Sequence, residues 1–157
     1  MKHVLFLILA AVTATYPATA QKKKNDQAAL QTAIAQKTYT FHAQTALPAS
    51  GRSRQLTSSY SFTIKNDSIF SDLPYFGRAY TAPMDLTKSV LQFNSLKFDY
   101  KLTNGKKGSW KVAIKINDVS EVQTISMNIS ANGYATLQAI LTNRQAISFN
   151  GQVDQRQ

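Results

Sequence analysis

The segment from Leu73 to Pro83 holds the residue types in this chain that are best suited to binding a ligand. It contains three aromatic residues, Tyr75, Phe76 and Tyr80, with Arg78 between them. Aromatic rings beside a guanidinium can hold a sugar, an aromatic ligand or a partner chain by stacking and bidentate hydrogen bonds. The alternative is that the rings close the end of a sheet or barrel. We therefore take Tyr75, Phe76, Arg78 and Tyr80 as candidate ligand-binding residues.

A second candidate surface is basic and lies on a predicted hairpin that turns at residues 104–108. Four lysines share one face of this hairpin: Lys97, Lys101, Lys111 and Lys115. If Thr103 faces Ser109, the lysines oppose each other in pairs, which is mildly destabilising, and an anion would relieve the repulsion. A register shifted by two residues keeps the same apolar face and separates the lysines. The first register predicts a basic face for an acidic partner, with binding that weakens as salt rises.

Few residues could carry catalysis or hold a metal. After the first twenty residues, His42 is the one histidine, Glu121 is the one glutamate, and there is no cysteine. The chain has no G-x-S-x-G motif and no glycine-rich phosphate loop. A single histidine without cysteine is a poor basis for a transition-metal site. We therefore predict a protein that is not an enzyme and that uses no metal or cofactor.

These residues must be positioned by β-strands, because apolar and polar residues alternate with a period of two from Thr38 onward. Eight or nine short strands, with a long loop at residues 72–88, predict a mainly β fold. We expect a curved antiparallel sheet, a meander or barrel-like, with one N-terminal helix at about residues 25–37 packed on it. The predicted core consists of Tyr39, Phe41, Tyr60, Phe62, Ile64, Phe98, Tyr100, Trp110, Val112, Ile114, Ile125, Met127, Ile129, Leu137 and Phe149.

The first twenty residues have the pattern of a secretory signal peptide. A short basic start precedes the apolar run Val4–Val12, and Ala18–Ala20 forms an A-x-A cleavage site. The run is too short to span a bilayer, so we expect no transmembrane segment in the mature protein. We predict an exported, periplasmic or secreted chain of one domain, residues 21–157, with residues 21–24 as a disordered leader. Without cysteine it is not expected to be lipid-anchored.

The charge balance limits the partners. The chain has 18 Lys and Arg residues against 8 Asp and Glu, a formal net charge of +10. Such a balance suits anionic lipid, polysaccharide or nucleic acid, and export makes nucleic acid the least suitable, so none is predicted. We expect a non-catalytic binding module for a small ligand or an envelope glycan. The alternative is a structural or adaptor protein that contacts an acidic envelope partner through a sheet edge or the basic face.

Several blocks of the sequence form an ordered pattern over most of the chain: Leu73–Tyr80, Gly108–Trp110, Asp118–Ser120, Ile129–Ala135 and Asn143–Gly151. In this order they resemble the domain-of-unknown-function 4251 family. The resemblance implies a small exported protein of gut-type Gram-negative bacteria with one compact domain. Many members are lipoproteins, and this chain differs from them because it lacks the lipidation cysteine. The family has no established activity, so the resemblance assigns no site residue.

Overall fold

The structure, a computed structural model, describes residues 18–80 and 89–154. One helix is followed by nine strands, with a short 3₁₀ turn at Lys106–Gly108. The elements are α1 (Ala18–Ala35), β1 (Thr38–Pro48), β2 (Arg54–Lys65), β3 (Ser68–Asp72), β4 (Gln92–Ser95), β5 (Phe98–Asn104), β6 (Trp110–Ile116), β7 (Val122–Ile129), β8 (Tyr134–Leu141) and β9 (Ile147–Asp154). In these two ranges no helix combines the length and the apolar character that crossing a membrane requires.

The nine strands form one sheet in the order β4-β3-β2-β1-β9-β8-β7-β6-β5. Every neighbouring pair is antiparallel. Two meanders, β1–β4 and β5–β9, are joined where β1 pairs with β9. The edge strands β4 and β5 are consecutive in the chain and run in the same direction, with only residues 96 and 97 between them. The sheet must therefore curl until its two edges nearly meet, and the predicted fold class is confirmed as a nearly closed barrel.

Asp118 holds the place where the two edges meet. Its carboxylate accepts hydrogen bonds from the backbone N–H groups of Leu96 at 2.8 Å and Lys97 at 3.0 Å. The buried Ser95 hydroxyl donates a third hydrogen bond at 2.5 Å. The Ser95 hydrogen bond is the main reason that the pKa of Asp118 lies below its usual value. The turn between β6 and β7 thus fixes the link between β4 and β5.

Helix α1 begins earlier than the sequence predicts, and the prediction of a disordered leader at residues 21–24 is wrong. This segment lies within the helix, because Gln and Lys are good helix formers and nothing there breaks the hydrogen-bond ladder. The apolar stripe is as expected, since Leu30, Ala33 and Ile34 are buried. The predicted cleavage site falls in the first turn of α1. The predicted apolar run Val4–Val12 lies outside the described residues.

The end of α1 is fixed to two strands by a chain of hydroxyl groups. The Tyr100 hydroxyl on β5 donates to the carbonyl oxygen of Ile34 at 3.1 Å. The oxygens of Tyr39 and Tyr100 are 3.3 Å apart, and because Tyr100 has already used its proton, Tyr39 is the donor. The Lys37 ammonium lies 5.4 Å from the centre of the Tyr100 ring. Burial is the main cause that raises the pKa of both tyrosines.

A continuous cluster of buried apolar side chains fills the interior of the sheet. Most of the predicted core residues are buried, and the exceptions are Tyr60, Phe98 and Tyr100, which are only partly buried. The largest side chains at the centre are Tyr39, Phe41, Phe62 and Phe149. The interior of the sheet is therefore packed by its own side chains.

Candidate functional site

A cleft opens at the end of the barrel opposite α1, where the β1–β2 turn meets the segment after β3. Its volume is about 390 Å³, which is within the range of small-molecule sites. It is lined by Pro48, Ser50, Gly51, Arg52, Arg54, Tyr75, Phe76, Gly77 and Arg78. We call this the loop-end cleft. Two segments more than twenty residues apart in sequence thus form one concave surface.

The β1–β2 turn supplies one wall of the loop-end cleft. Gly51 has a φ of 114°, a backbone conformation that favours glycine. The Ser50 hydroxyl donates to the side-chain oxygen of Gln145 at 2.8 Å, which connects the turn to the β8–β9 loop. Arg54, the first residue of β2, places its guanidinium over the Phe76 ring, 4.8 Å from the ring centre. This cation–π contact joins the two walls.

The second wall is held by backbone pairing with the β8–β9 loop. The N–H of Tyr80 donates to the carbonyl of Asn143 at 2.9 Å, and the N–H of Gln145 donates to the carbonyl of Arg78 at 3.1 Å. The Tyr75 hydroxyl lies 3.0 Å from the Gln145 carbonyl and 3.1 Å from the Arg78 carbonyl, and can donate to either. These hydrogen bonds hold the backbone of the segment that carries Tyr75 and Arg78 against the β8–β9 loop.

Arg144 supports the Tyr75 ring from behind. Its guanidinium lies 5.5 Å from the centre of that ring, and it forms an ion pair of 3.6 Å with Glu121. Burial raises the pKa of Tyr75, and the charge of Arg144 opposes this effect. The phenol therefore stays neutral near pH 7 and acts as a hydrogen-bond donor.

Positive charge dominates the loop-end cleft. Arg52, Arg54 and Arg78 all line it, and no aspartate or glutamate is among its lining residues. Within the described ranges, none of these three arginines has a carboxylate within ion-pair distance, in contrast to Arg144. Guanidinium groups remain protonated at all ordinary pH values, so this charge is permanent.

The cleft brings together three of the four predicted ligand-binding residues, namely Tyr75, Phe76 and Arg78. Tyr80 is 69% exposed and is not among the lining residues. Tyr75 and Phe76 also pack against the core, so the rings close the barrel end as well as line the cleft. Sequence reasoning missed Arg52 and Arg54. The signal was the Gly51–Arg54 run of glycine and alternating arginines in a loop.

The basic face has a different register from the one that opposes its lysines. Asp99 faces Lys115, Lys101 faces Ala113, and Thr103 faces Lys111. This is the alternative register, shifted by two residues. The register that would pair Lys101 with Lys111 and Lys97 with Lys115 is therefore wrong. The loop fixes the shift, because the Gly105 N–H donates to the Ser109 carbonyl at 2.7 Å. All four lysines are exposed, and Lys97 lies before β5 rather than in it.

Two other features of the described residues are less suited to binding a ligand or to catalysis. A cleft of about 480 Å³ at the β6–β7 turn has no aromatic lining residue, and its charged groups, Lys115 and Asp118, are of opposite sign. His42 is exposed on β1. In the part of the chain that the structure describes, no three His, Cys, Asp or Glu side chains come together in a way that could hold a metal.

A nearly closed antiparallel sheet with an N-terminal helix and a cationic cleft at its rim defines a class of small β-barrel-like domains. The family model "Domain of unknown function (DUF4251)" matches residues 21–153, so the chain belongs to this family. The fold is similar to the crystal structure of a DUF4251 family protein from Bacteroides eggerthii DSM 20697, with a TM-score of 0.58 at 12% identity. The match covers 83% of this chain and 90% of that one. A comparison with curated proteins found no match.

Proposed function

We propose that this chain is an exported, non-catalytic binding module that holds a small ligand or an envelope glycan in the loop-end cleft. The observation that carries the proposal is the convergence of Tyr75 and Phe76 with arginines from a separate turn on one ligand-sized concavity. Binding residues concentrate on loops that a rigid sheet presents, and this cleft has that arrangement. Export rests on the signal-peptide pattern of residues 1–20.

The walls of the cleft are held in place without a ligand, which favours binding. The Arg54–Phe76 contact and the backbone bonds to the β8–β9 loop fix both segments. A preformed site loses little conformational entropy when it binds, so more of the contact energy contributes to affinity. Flat rings such as Phe76 stack on the apolar face of a sugar, while guanidinium groups hydrogen-bond its oxygens.

The chemistry of the lining residues supports binding rather than catalysis. The side-chain hydroxyls in the cleft belong to Ser50 and Tyr75, and both are engaged in hydrogen bonds. The remaining titratable side chains are arginines, which cannot accept a proton and so cannot act as a general base. No nucleophile with an adjacent base lies among the lining residues.

The test is binding of the full chain, purified from the periplasm of an expression host, to an array of neutral and acidic oligosaccharides. Phe76→Leu keeps an apolar side chain but removes the ring. We therefore expect a glycan that the wild type binds to be bound about tenfold more weakly by this variant, or not at all. Phe70→Leu is the matched control, because Phe70 is an exposed aromatic residue on β3 that does not line the cleft. An array without any bound glycan, or equal binding by Phe76→Leu, would contradict the proposal.

The adaptor alternative receives less support from the described residues. Its argument from the basic face was a row of opposed lysines that an anion relieves, and the observed register removes the opposition by placing Asp99 across from Lys115. Contact through a sheet edge stays a prediction. It stays a prediction that Lys97, Lys101, Lys111 and Lys115 contact an acidic envelope partner. Association that is insensitive to salt would exclude it.

A further inference from the structure

We infer that the ligand of the loop-end cleft is an acidic sugar, which carries a carboxylate, phosphate or sulfate group on its ring. The inference rests on the proposed function and narrows the class of ligand from any small molecule or glycan to a sugar that carries an oxyanion. Three arginines line a cleft of about 390 Å³ that has no acidic lining residue. Such a set of like charges repels itself and attracts an anion.

The contrast with Arg144 shows that the protein could have neutralised these charges internally. Arg144 lies just outside the cleft, is 15% exposed at its side chain, and is paired with Glu121. Arg52, Arg54 and Arg78 have no such carboxylate partner within the described ranges. Among the described residues, these three exposed guanidinium groups are therefore available to an anion from solution.

The geometry of Arg54 fits recognition of an oxyanion in particular. Its guanidinium carbon lies over the Phe76 ring, 4.8 Å from the ring centre, so the aromatic ring covers one side of the group. A guanidinium carries five N–H donors in a fixed planar fork, so contact with a ring on one side leaves donors available on the others. Two parallel N–H groups match the two oxygens of a carboxylate, phosphate or sulfate, and this bidentate bond is stronger than a neutral one.

The other lining residues suit the sugar ring itself. Tyr75 and Phe76 supply aromatic surface, while Ser50 supplies a polar edge. An inorganic anion would need only the arginines. The combination of aromatic surface and several guanidinium groups in one cleft therefore favours an anionic ring over a bare ion.

The experiment is calorimetric titration of the full chain at low salt with three probes: digalacturonic acid, glucose 6-phosphate and neutral cellobiose. We expect an acidic probe to bind and cellobiose to bind at least tenfold more weakly. The two acidic probes show whether the site prefers a carboxylate or a phosphate. Each of Arg52→Gln, Arg54→Gln and Arg78→Gln should weaken binding of the acidic probe by about 10- to 100-fold. Lys65→Gln makes the same charge change at an exposed residue, the last of β2, whereas Arg54 is the first residue of that strand, and it should leave binding unchanged.

The outcomes separate this inference from the proposed function. If cellobiose binds as well as the acidic probes, and Phe76→Leu but not the arginine variants weakens it, the anion inference is overturned and the binding module stands. If Lys65→Gln weakens binding of the acidic probe as much as the arginine variants do, general charge attraction explains binding and the inference is also overturned. If no probe binds at concentrations up to about 10 mM, the inference is overturned, while the proposed function fails only if the oligosaccharide array also shows no bound glycan.

Discussion

Replacing Tyr100 with phenylalanine tests how α1 is fastened to the sheet. The Tyr100 hydroxyl donates a hydrogen bond to the Ile34 carbonyl and accepts a hydrogen bond from the hydroxyl of Tyr39. Tyr39 is only 1% exposed. Tyr100→Phe therefore removes two hydrogen bonds and leaves the Tyr39 hydroxyl buried without a partner. Tyr39→Phe removes one bond and leaves Tyr100 still bound to Ile34. The two substitutions delete the same atom type, but we expect Tyr100→Phe to be the more damaging.

The magnitudes follow from this asymmetry. An ordinary hydrogen bond contributes about 0.5–1.5 kcal/mol, so Tyr39→Phe should lower the free energy of unfolding by about 1 kcal/mol. An orphaned buried hydroxyl adds a desolvation penalty, so Tyr100→Phe should cost about 2–3 kcal/mol. The double variant has no orphan, and should therefore be less destabilised than the sum of the two by about 1 kcal/mol. In a chain of this length 1 kcal/mol corresponds to about 3–4 °C in Tm.

The assay is urea unfolding of the wild type, both single variants and the double variant. A second readout is pH, because burial raises the pKa of both tyrosines above 10.0. The neutral phenols are the form that the fold retains. The stability that these neutral phenols contribute is therefore fully present below pH 10. It is lost as the pH rises through the pKa values of the two tyrosines in the folded protein, and Tyr39→Phe should reduce that loss of stability at alkaline pH. Equal costs for the two single variants, with strict additivity, would refute the hydrogen-bond chain.

Three other predictions concern single positions. Gly151→Ala should lower stability by about 3 kcal/mol in thermal unfolding, because a Cβ there would meet the His42 carbonyl oxygen across the β1–β9 ladder. Unchanged Tm would contradict this close approach. Asp118→Asn should be less stable than the wild type above pH 3.8, with the gap narrowing as the pH falls, since the lowered pKa of Asp118 stabilises the fold only while it is ionised. A gap that is independent of pH would show that the charge contributes nothing. Tyr75→Phe should lower Tm by about 3 °C through loss of its bond to a backbone carbonyl, and an unchanged Tm would mean that the hydroxyl does not hold the segment.

The strands and the core were predictable because alternation of apolar and polar residues directly encodes a half-buried sheet. The hairpin register was not, since a shift of two residues leaves the apolar face unchanged. What decides it is the loop, where Lys107 and Gly108 both take positive φ and the Gly105–Ser109 bond closes the turn. Local chemistry of this kind is weakly encoded in residue types, so the sequence kept both registers open.

The candidate site was only half visible for a related reason. Tyr75, Phe76 and Arg78 stand together in the sequence, so their residue types could be read as one group. Arg52 and Arg54 reach the same cleft only because β1 to β3 form a meander that returns the chain to this end of the barrel. Tyr80 was included because of its position in the sequence, and in the structure it is not among the residues that line the cleft.

The central claim is that the arginines of the loop-end cleft bind an acidic sugar, and NMR of arginine side chains tests it most directly. The Nε–Hε signals of Arg52, Arg54 and Arg78, assigned by single Arg→Lys variants, are followed during titration with digalacturonic acid and then with cellobiose. We expect these three signals to shift together when the acidic sugar is added, and the signal of Arg144, whose guanidinium is already paired with Glu121, to move little. Shifts that cellobiose also produces, or shifts that occur at the basic face instead of at these arginines, would contradict the claim.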